Sequence, residues 1–252
     1  MSTKTFTPGG YRYIPAVFQY SGGVAAEPGY RLERVRFQKP VPLATGFKKI
    51  EAIIEAARRP LASFAACELR SPAPFTEAGF IAFNEVYVKT LANWGIYDVA
   101  TKSNPVARSN VCPELDKPDG PSFHAFAFTV EDTAAAPSFV VAGSGEAPEG
   151  KGSYGSFVVR PGDTTADGLR EKARAVLAEM ERRMQLLGFT WRDTTAVQAY
   201  TVYDLYPFLA DELVRRGAAA HGLTWQYCRP PVNVLDYEMD CRSVAVERVV
   251  GI

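Results

Sequence analysis

The sequence predicts an α+β protein in which a layer of two helices on a roughly four-stranded sheet occurs twice. Three observations carry that prediction. One order of elements recurs along the chain: strand, small-residue turn, strand, amphipathic helix, strand, second helix and a late strand. Each unit takes about half of the 252 residues, which suits two fused domains better than one large one. The helices have single apolar stripes, so each should cover one side of a sheet.

In order along the chain, residues 1–10 are rich in Thr, Gly and Pro and read as a loose or strand-adding arm. The first small-residue turn is Tyr20-Ser21-Gly22-Gly23. Phe47, Ile50, Ile53, Ile54 and Ala57 recur at steps of three and four, predicting a helix over 47–59 that stops at Pro60. A strand at 64–71, a helix at 77–93 and a closing strand at 122–130 complete the first unit. The small polar segment from Glu131 to Pro137 is the predicted junction, giving domains at 1–132 and 137–252. In the second unit, Ala142-Gly143-Ser144-Gly145 reads as the matching turn. Leu169, Ala173, Val176, Leu177, Met180, Met184 and Leu187 form one stripe of a helix over 167–187. Thr164-x-x-Asp167 offers it a capping box and Gly188 a C′ glycine. Met180 and Met184 read as core. A strand at 195–202, a helix at 206–216 and a closing strand at 237–246 follow.

Composition narrows the function. A chain of this length with 47% hydrophobic residues can bury a proper core without disulfides or metal. The 28 basic residues balance 28 acidic ones with no basic cluster, which argues against nucleic acid. The longest apolar runs are far short of a membrane span, and the N-terminus has no secretory h-region. Cys67, Cys112, Cys228 and Cys241 lie far apart, as free thiols of a reducing cytoplasm would. Two histidines, His124 and His221, make a His-rich metal site a poor expectation. The expectation is a cytoplasmic protein that uses no cofactor.

Phe83-Asn84-Glu85-Val86-Tyr87, followed by Pro105-Val106-Ala107-Arg108-Ser109, resembles the Asn-Glu-x-Tyr and Pro-Ala-Arg-Ser segments of the reactive intermediate deaminase (Rid) superfamily. Ser21-Gly22 is similar to that family's Ser-Gly-Gln turn. The second half resembles the same pattern through Ser144-Gly145, the long helix, Leu187-Gly188-Phe189 with Asp193, and 204–213. Two tandem chorismate-mutase-like domains, each a mixed sheet with two helices on one face, are what the resemblance implies. It implies a trimer with clefts between domains: a homotrimer of tandem chains (a pseudo-hexamer of domains), or the same ring built as a pseudo-dimer.

The resemblance also assigns roles. Arg108 would clamp a substrate carboxylate, for which a planar guanidinium fork is suited. The family's closing strand contributes a carboxylate that activates water. The matching position holds His124 in the first half and Asp240 in the second. Period-two alternation puts Glu238, Asp240 and Arg242 on one face and Tyr237, Met239 and Cys241 on the other, so Glu238 is a further candidate. A solvated charged face is the bland reading of that strand, and a hydrogen-bonded core residue that of His124, read as sharing a face with Phe126 and Phe128. Ser21, Gly22 and Ser144 could present hydroxyl and N–H groups to an oxyanion. Tyr11 or Tyr13 answers to the family's pocket tyrosine, with Tyr13 the choice. Arg229 would anchor a second carboxylate. Asn110 stands where many members carry a cysteine, which weakens a thiol role.

The expected activity is hydrolytic, cofactor-independent deamination of an enamine or imine dicarboxylate. Among specialised members, 2-aminomuconate-type deaminases, including chlorinated analogues, fit the tandem asymmetric form. A chorismatase-like hydrolase and a non-catalytic small-acid binder are the alternatives.

Overall fold

In the computed structural model, which describes residues 2–251, the chain opens as an antiparallel meander. Its strands are β1 (Lys4–Phe6), β2 (Tyr11–Tyr13) and β3 (Gly23–Ala26). Then follow β4 (Tyr30–Pro42), α1 (Leu43–Ala56), β5 (Phe64–Arg70), α2 (Glu77–Asn93), β6 (Ala107–Pro113) and β7 (Ser122–Glu131). Past the linker come β8 (Phe139–Gly145), the single-turn α3 (Tyr154–Phe157), α4 (Ala166–Leu187) and β9 (Ala196–Tyr200). The chain ends with α5 (Tyr206–Phe208), β10 (Thr224–Gln226), β11 (Cys228–Arg229), β12 (Glu238–Ser243) and β13 (Val246–Val250).

Two mixed sheets result, ordered β11-β6-β5-β7-β4-β13 and β1-β2-β3-β8-β12-β9-β10. The path β4-α1-β5-α2-β6, with β7 inserted between β4 and β5, recurs as β8-α4-β9-α5-β10 with β12 inserted. Neither sheet is built from one half alone. The N-terminal meander extends the second sheet through β3 on β8, while β13 crosses back to run parallel to β4. This exchange covers strand edges that would otherwise be open to pairing.

The helices of each sheet lie on its outer face. Phe47, Ile50 and Ile54 of α1 and Tyr87, Val88 and Leu91 of α2 pack on Val35, Phe64, Leu69 and Phe126. Leu169, Val176, Met180, Met184 and Leu187 of α4, with Phe208 and Leu213, pack on Phe139, Val141, Met239 and Cys241. The inner faces meet through small side chains, among them Ala65, Ala66, Ala107, Ala127 and Ala142, which let two sheets approach closely. No helix of the described residues is long and apolar enough to cross a membrane. All four cysteines are buried and free.

The departures from the predicted boundaries have local causes. Helix α2 spans the predicted residues, with Thr76 Oγ1 accepting from Gly79 N–H. Helix α1 starts at Leu43, not 47, because the chain passes straight from β4 through Pro42 without a polar cap to announce it. The cap of α4 is Thr165, not Thr164: its Oγ1 accepts from Gly168 N–H, and Asp163 accepts from Thr165. Gly188 closes this helix in the left-handed region at φ 88°. The predicted helix at 206–216 is one α turn followed by a π-helical turn at Leu209–Val214, closed by Arg215 N–H donating to Ala210 O. Residues 142–145 are not a turn; they lie within β8. The closing strand stops at Ser243, and Val246 onwards joins the other sheet.

Candidate active site

Strand β6 runs along the line where the two sheets meet, and its side chains divide between two environments. Ser109 points to the second sheet, where its hydroxyl donates to Asp240 and accepts from Gly143 N–H at 3.1 Å. Arg108 and Asn110, on the opposite face, line a narrow cleft. Its walls include Tyr20, Phe80 of α2, Gly143 and Gly145 of β8, Glu149, Tyr154 and Glu238 of β12.

Arg108 is 2% exposed, and no described residue accepts a hydrogen bond from Nε, Nη1 or Nη2. Its Cζ sits 4.8 Å from the ring centre of Tyr87, 5.2 Å from Tyr20 and 5.7 Å from both Phe80 and Phe83. Each such contact is worth about 0.5–2 kcal/mol, whereas removing an ion from water costs several kcal/mol. An anion with two acceptor oxygens would satisfy this fork.

Across the cleft Glu238 is 3% exposed. Burial raises its pKa well above the usual carboxylate range, and Asp240, Glu149 and Glu146 push the same way against a smaller opposing pull from Arg183. The environment therefore favours the protonated carboxyl, the form of a general acid. Behind it, Asp240 accepts from Gln198 Nε2 at 2.9 Å and from Tyr200 OH at 2.8 Å. Burial, followed by Glu68, raises the Asp240 pKa. Asp240 is absent from the cleft that holds Glu238; it lines a second small cavity with Ser109 and Glu68, which Arg108 also borders, and there it ties the two sheets together.

At the mouth, Tyr20 OH donates to Glu149 Oε1 at 2.9 Å, and Glu149 pairs with Arg183 at 3.0 Å. Burial, then the nearby Glu149, raises the Tyr154 phenol to about 12. Single-turn α3 is held to α2 by Glu77, which accepts from Ser153 Oγ at 2.8 Å and Gly155 N–H at 3.1 Å.

Similarity to known proteins agrees in kind. The family model described as 2-aminomuconate deaminase CnbZ matches residues 3–248. The chain belongs to this family. A 2-amino-5-chloromuconate deaminase of Comamonas testosteroni is 55% identical over 246 residues, covering 97% of each chain. Membership makes this an enzyme acting on C–N bonds. A chorismatase crystal structure aligns with a TM-score of 0.51 and 13% identity over 88% of this chain and 77% of its own. That likeness concerns the fold. The YjgF gene product of E. coli aligns over 43% of this chain and 80% of its own, at 16% identity and a TM-score of 0.31.

The sequence-predicted residues of this family member separate cleanly in space. Arg108 and Glu238 share the cleft, and Asp240 supports it from behind. His124 lies elsewhere, since irregular pairing of β7 with both neighbours moves it from the Phe126 face to the company of Glu68, Arg70 and Arg34. Burial, then Arg70, lowers its pKa to about 3, so the imidazole is neutral near pH 7 and is not the imidazolium acid that would protonate a leaving amine. Ser21 Oγ donates to Pro105 O at 3.0 Å, making it a latch between segments. Gly22 and Ser144 face a neighbouring groove with Arg182 and Arg183, which Gly145 and Glu149 also border. Tyr13 is hydrogen-bonded to Ser103 at 2.9 Å beside a third groove. Arg229 is paired with Glu114 at 3.0 Å outside the cleft.

Tyr20, Asn110, Glu149 and Tyr154 were not among the predicted site residues. Asn110 had a readable signal in its two-residue spacing from Arg108 on one strand. Glu149 and Tyr154 sit in or just after a Gly-, Pro- and Lys-containing loop with no periodicity to single them out. The buried thiols are poor nucleophiles: burial pushes Cys67 and Cys112 up to about 12.

Proposed function

We propose that this protein hydrolyses an enamine dicarboxylate of the 2-aminomuconate type, chlorinated or not, releasing ammonia and the corresponding 2-oxo acid. The observation that carries the reading is the buried, unpartnered guanidinium of Arg108 beside a buried Glu238 in one cleft. Arg108 binds the carboxylate next to the amine-bearing carbon. Protonated Glu238 gives a proton to the enamine carbon, forming the imine, which is already electrophilic and needs no further activation. The resulting carboxylate takes a proton from water as the water oxygen bonds to the amine-bearing carbon. Glu238 passes this proton to nitrogen, the C–N bond breaks and ammonia leaves; the hydroxyl proton returns to Glu238 as the carbonyl forms. Enamine and water thus give 2-oxo acid and ammonia in balance.

Tyr20 and Glu149 hold the mouth of the cleft, and Asp240 ties β12 to β6 through Ser109. The assembly consistent with the family resemblance is a homotrimer in the cytoplasm, and light scattering after size exclusion reads the subunit number directly. The test of activity is stoichiometric: ammonia release and loss of enamine absorbance from freshly generated 2-aminomuconate, with chorismate as a second substrate. Ammonia in step with enamine loss supports the reading; turnover of chorismate alone sinks it.

A further inference from the structure

We infer that Asn110 is the donor that recognises the far carboxylate of a dicarboxylate substrate, a role that rests on the deaminase reading of this cleft. Asn110 is 3% exposed and lines the cleft with Arg108. Its Oδ1 accepts from Ser71 Oγ at 3.0 Å, while no described residue accepts from Nδ2. Ser71 therefore fixes one end of the amide and leaves the donor end for the cleft. A buried N–H without a partner is costly, and here it stands two residues from a second unpartnered donor group on the same strand face. Two residues of strand set the two Cα atoms about 6.6 Å apart, so the two donor groups open side by side on one cleft, as the two ends of a diacid require. Arg229, the sequence-predicted second anchor, is occupied by Glu114 outside the cleft, so Asn110 takes its place.

Unreactive probes test this. Muconate has two carboxylates; sorbate has the same carbon chain with a methyl group at one end. Calorimetric affinities for both are measured in wild type, Asn110→Leu, Asn110→Asp and Ser71→Ala, with thermal melts confirming that each variant folds. Wild type should prefer muconate about tenfold or more, the discrimination expected of one buried hydrogen bond. Asn110→Leu should abolish that preference, and Asn110→Asp should reverse it by like-charge repulsion. Ser71→Ala, which leaves the amide in place but unheld, should reduce it. A preference that survives in Asn110→Leu, or its lack in wild type, overturns the assignment. Ammonia release by wild type is read in parallel. Its failure with the muconate preference intact would refute the deaminase reading and leave the subsite standing.

Discussion

Gly143 lies against the Glu238 carboxyl so closely that a Cβ there would stand 2.1 Å from Glu238 Oε1 and 3.1 Å from Ser109 Cα. The glycine lets β8 pass between the Glu238 side chain and β6 while its N–H reaches Ser109. Gly143→Ala must move either a buried carboxyl or a strand. The expected cost is about 1–3 kcal/mol of stability, seen in denaturant unfolding, together with loss of most turnover. An alanine variant as active and stable as wild type would mean that the Glu238 position is not tightly held.

Arg108 predicts a trade between stability and function. Arg108→Met keeps the apolar stem among the Tyr20, Phe80, Phe83 and Tyr87 rings and removes a buried unpaired charge. Replacing buried charge by a hydrophobe of similar volume is often neutral or stabilising, so the variant should melt no lower than wild type. Its kcat/KM should fall about 10²–10³-fold, the order expected when one partner of a buried charge pair is lost. A variant that is unstable and still active would remove the clamp.

Glu238 gives a pH signature in two readouts. Its folded-state pKa lies above the unfolded value, so folding is favoured by the proton and penalised as pH rises through and beyond the unfolded value of about 4.3. Glu238→Gln lacks the penalty. It should therefore gain stability over wild type at neutral pH, with the gain vanishing below about pH 4. Turnover should drop about 10²–10⁴-fold with the loss of proton transfer. In wild type kcat/KM should fall as pH rises through the raised pKa; an unchanged profile in the variant would assign that limb to another group.

Ser109 and Asp240 should behave as a structural pair. Ser109→Ala leaves a buried carboxyl oxygen and the Gly143 N–H each short of one partner, costing about 1–3 kcal/mol. Asp240→Asn should likewise lower the melting temperature while keeping the pH limb assigned to Glu238, displaced to lower pH because the Asp240 charge no longer raises the Glu238 pKa. If Asp240→Asn instead erased that limb without loss of stability, Asp240 would be the proton carrier.

How much of this was legible in the sequence varied with the range of the forces involved. The stripe of α4, its Gly188 stop and the face sharing of Glu238, Asp240 and Arg242 follow from backbone geometry within one element, and all three read correctly. Local cues misled where a neighbour decides. Gly143-Ser144-Gly145 has the composition of a turn, yet β12 and β6 hold it in a strand. His124 alternates on paper with Phe126, yet irregular strand pairing turns it towards Arg70 and Glu68.

By itself the sequence determined the α+β class and the helices and strands with strong periodicity, since these depend on residue types at short spacing. Only the tertiary structure decided that β3 and β13 are traded between the sheets. It alone separated Glu238, in the cleft, from Asp240 behind it, though both share one strand face. It alone brought Tyr20, Asn110 and Glu149, spread over some 130 positions, around one guanidinium. Pairing across sheets is settled by the burial of whole faces against each other, and no spacing along a single chain encodes which distant strand will supply the opposing surface.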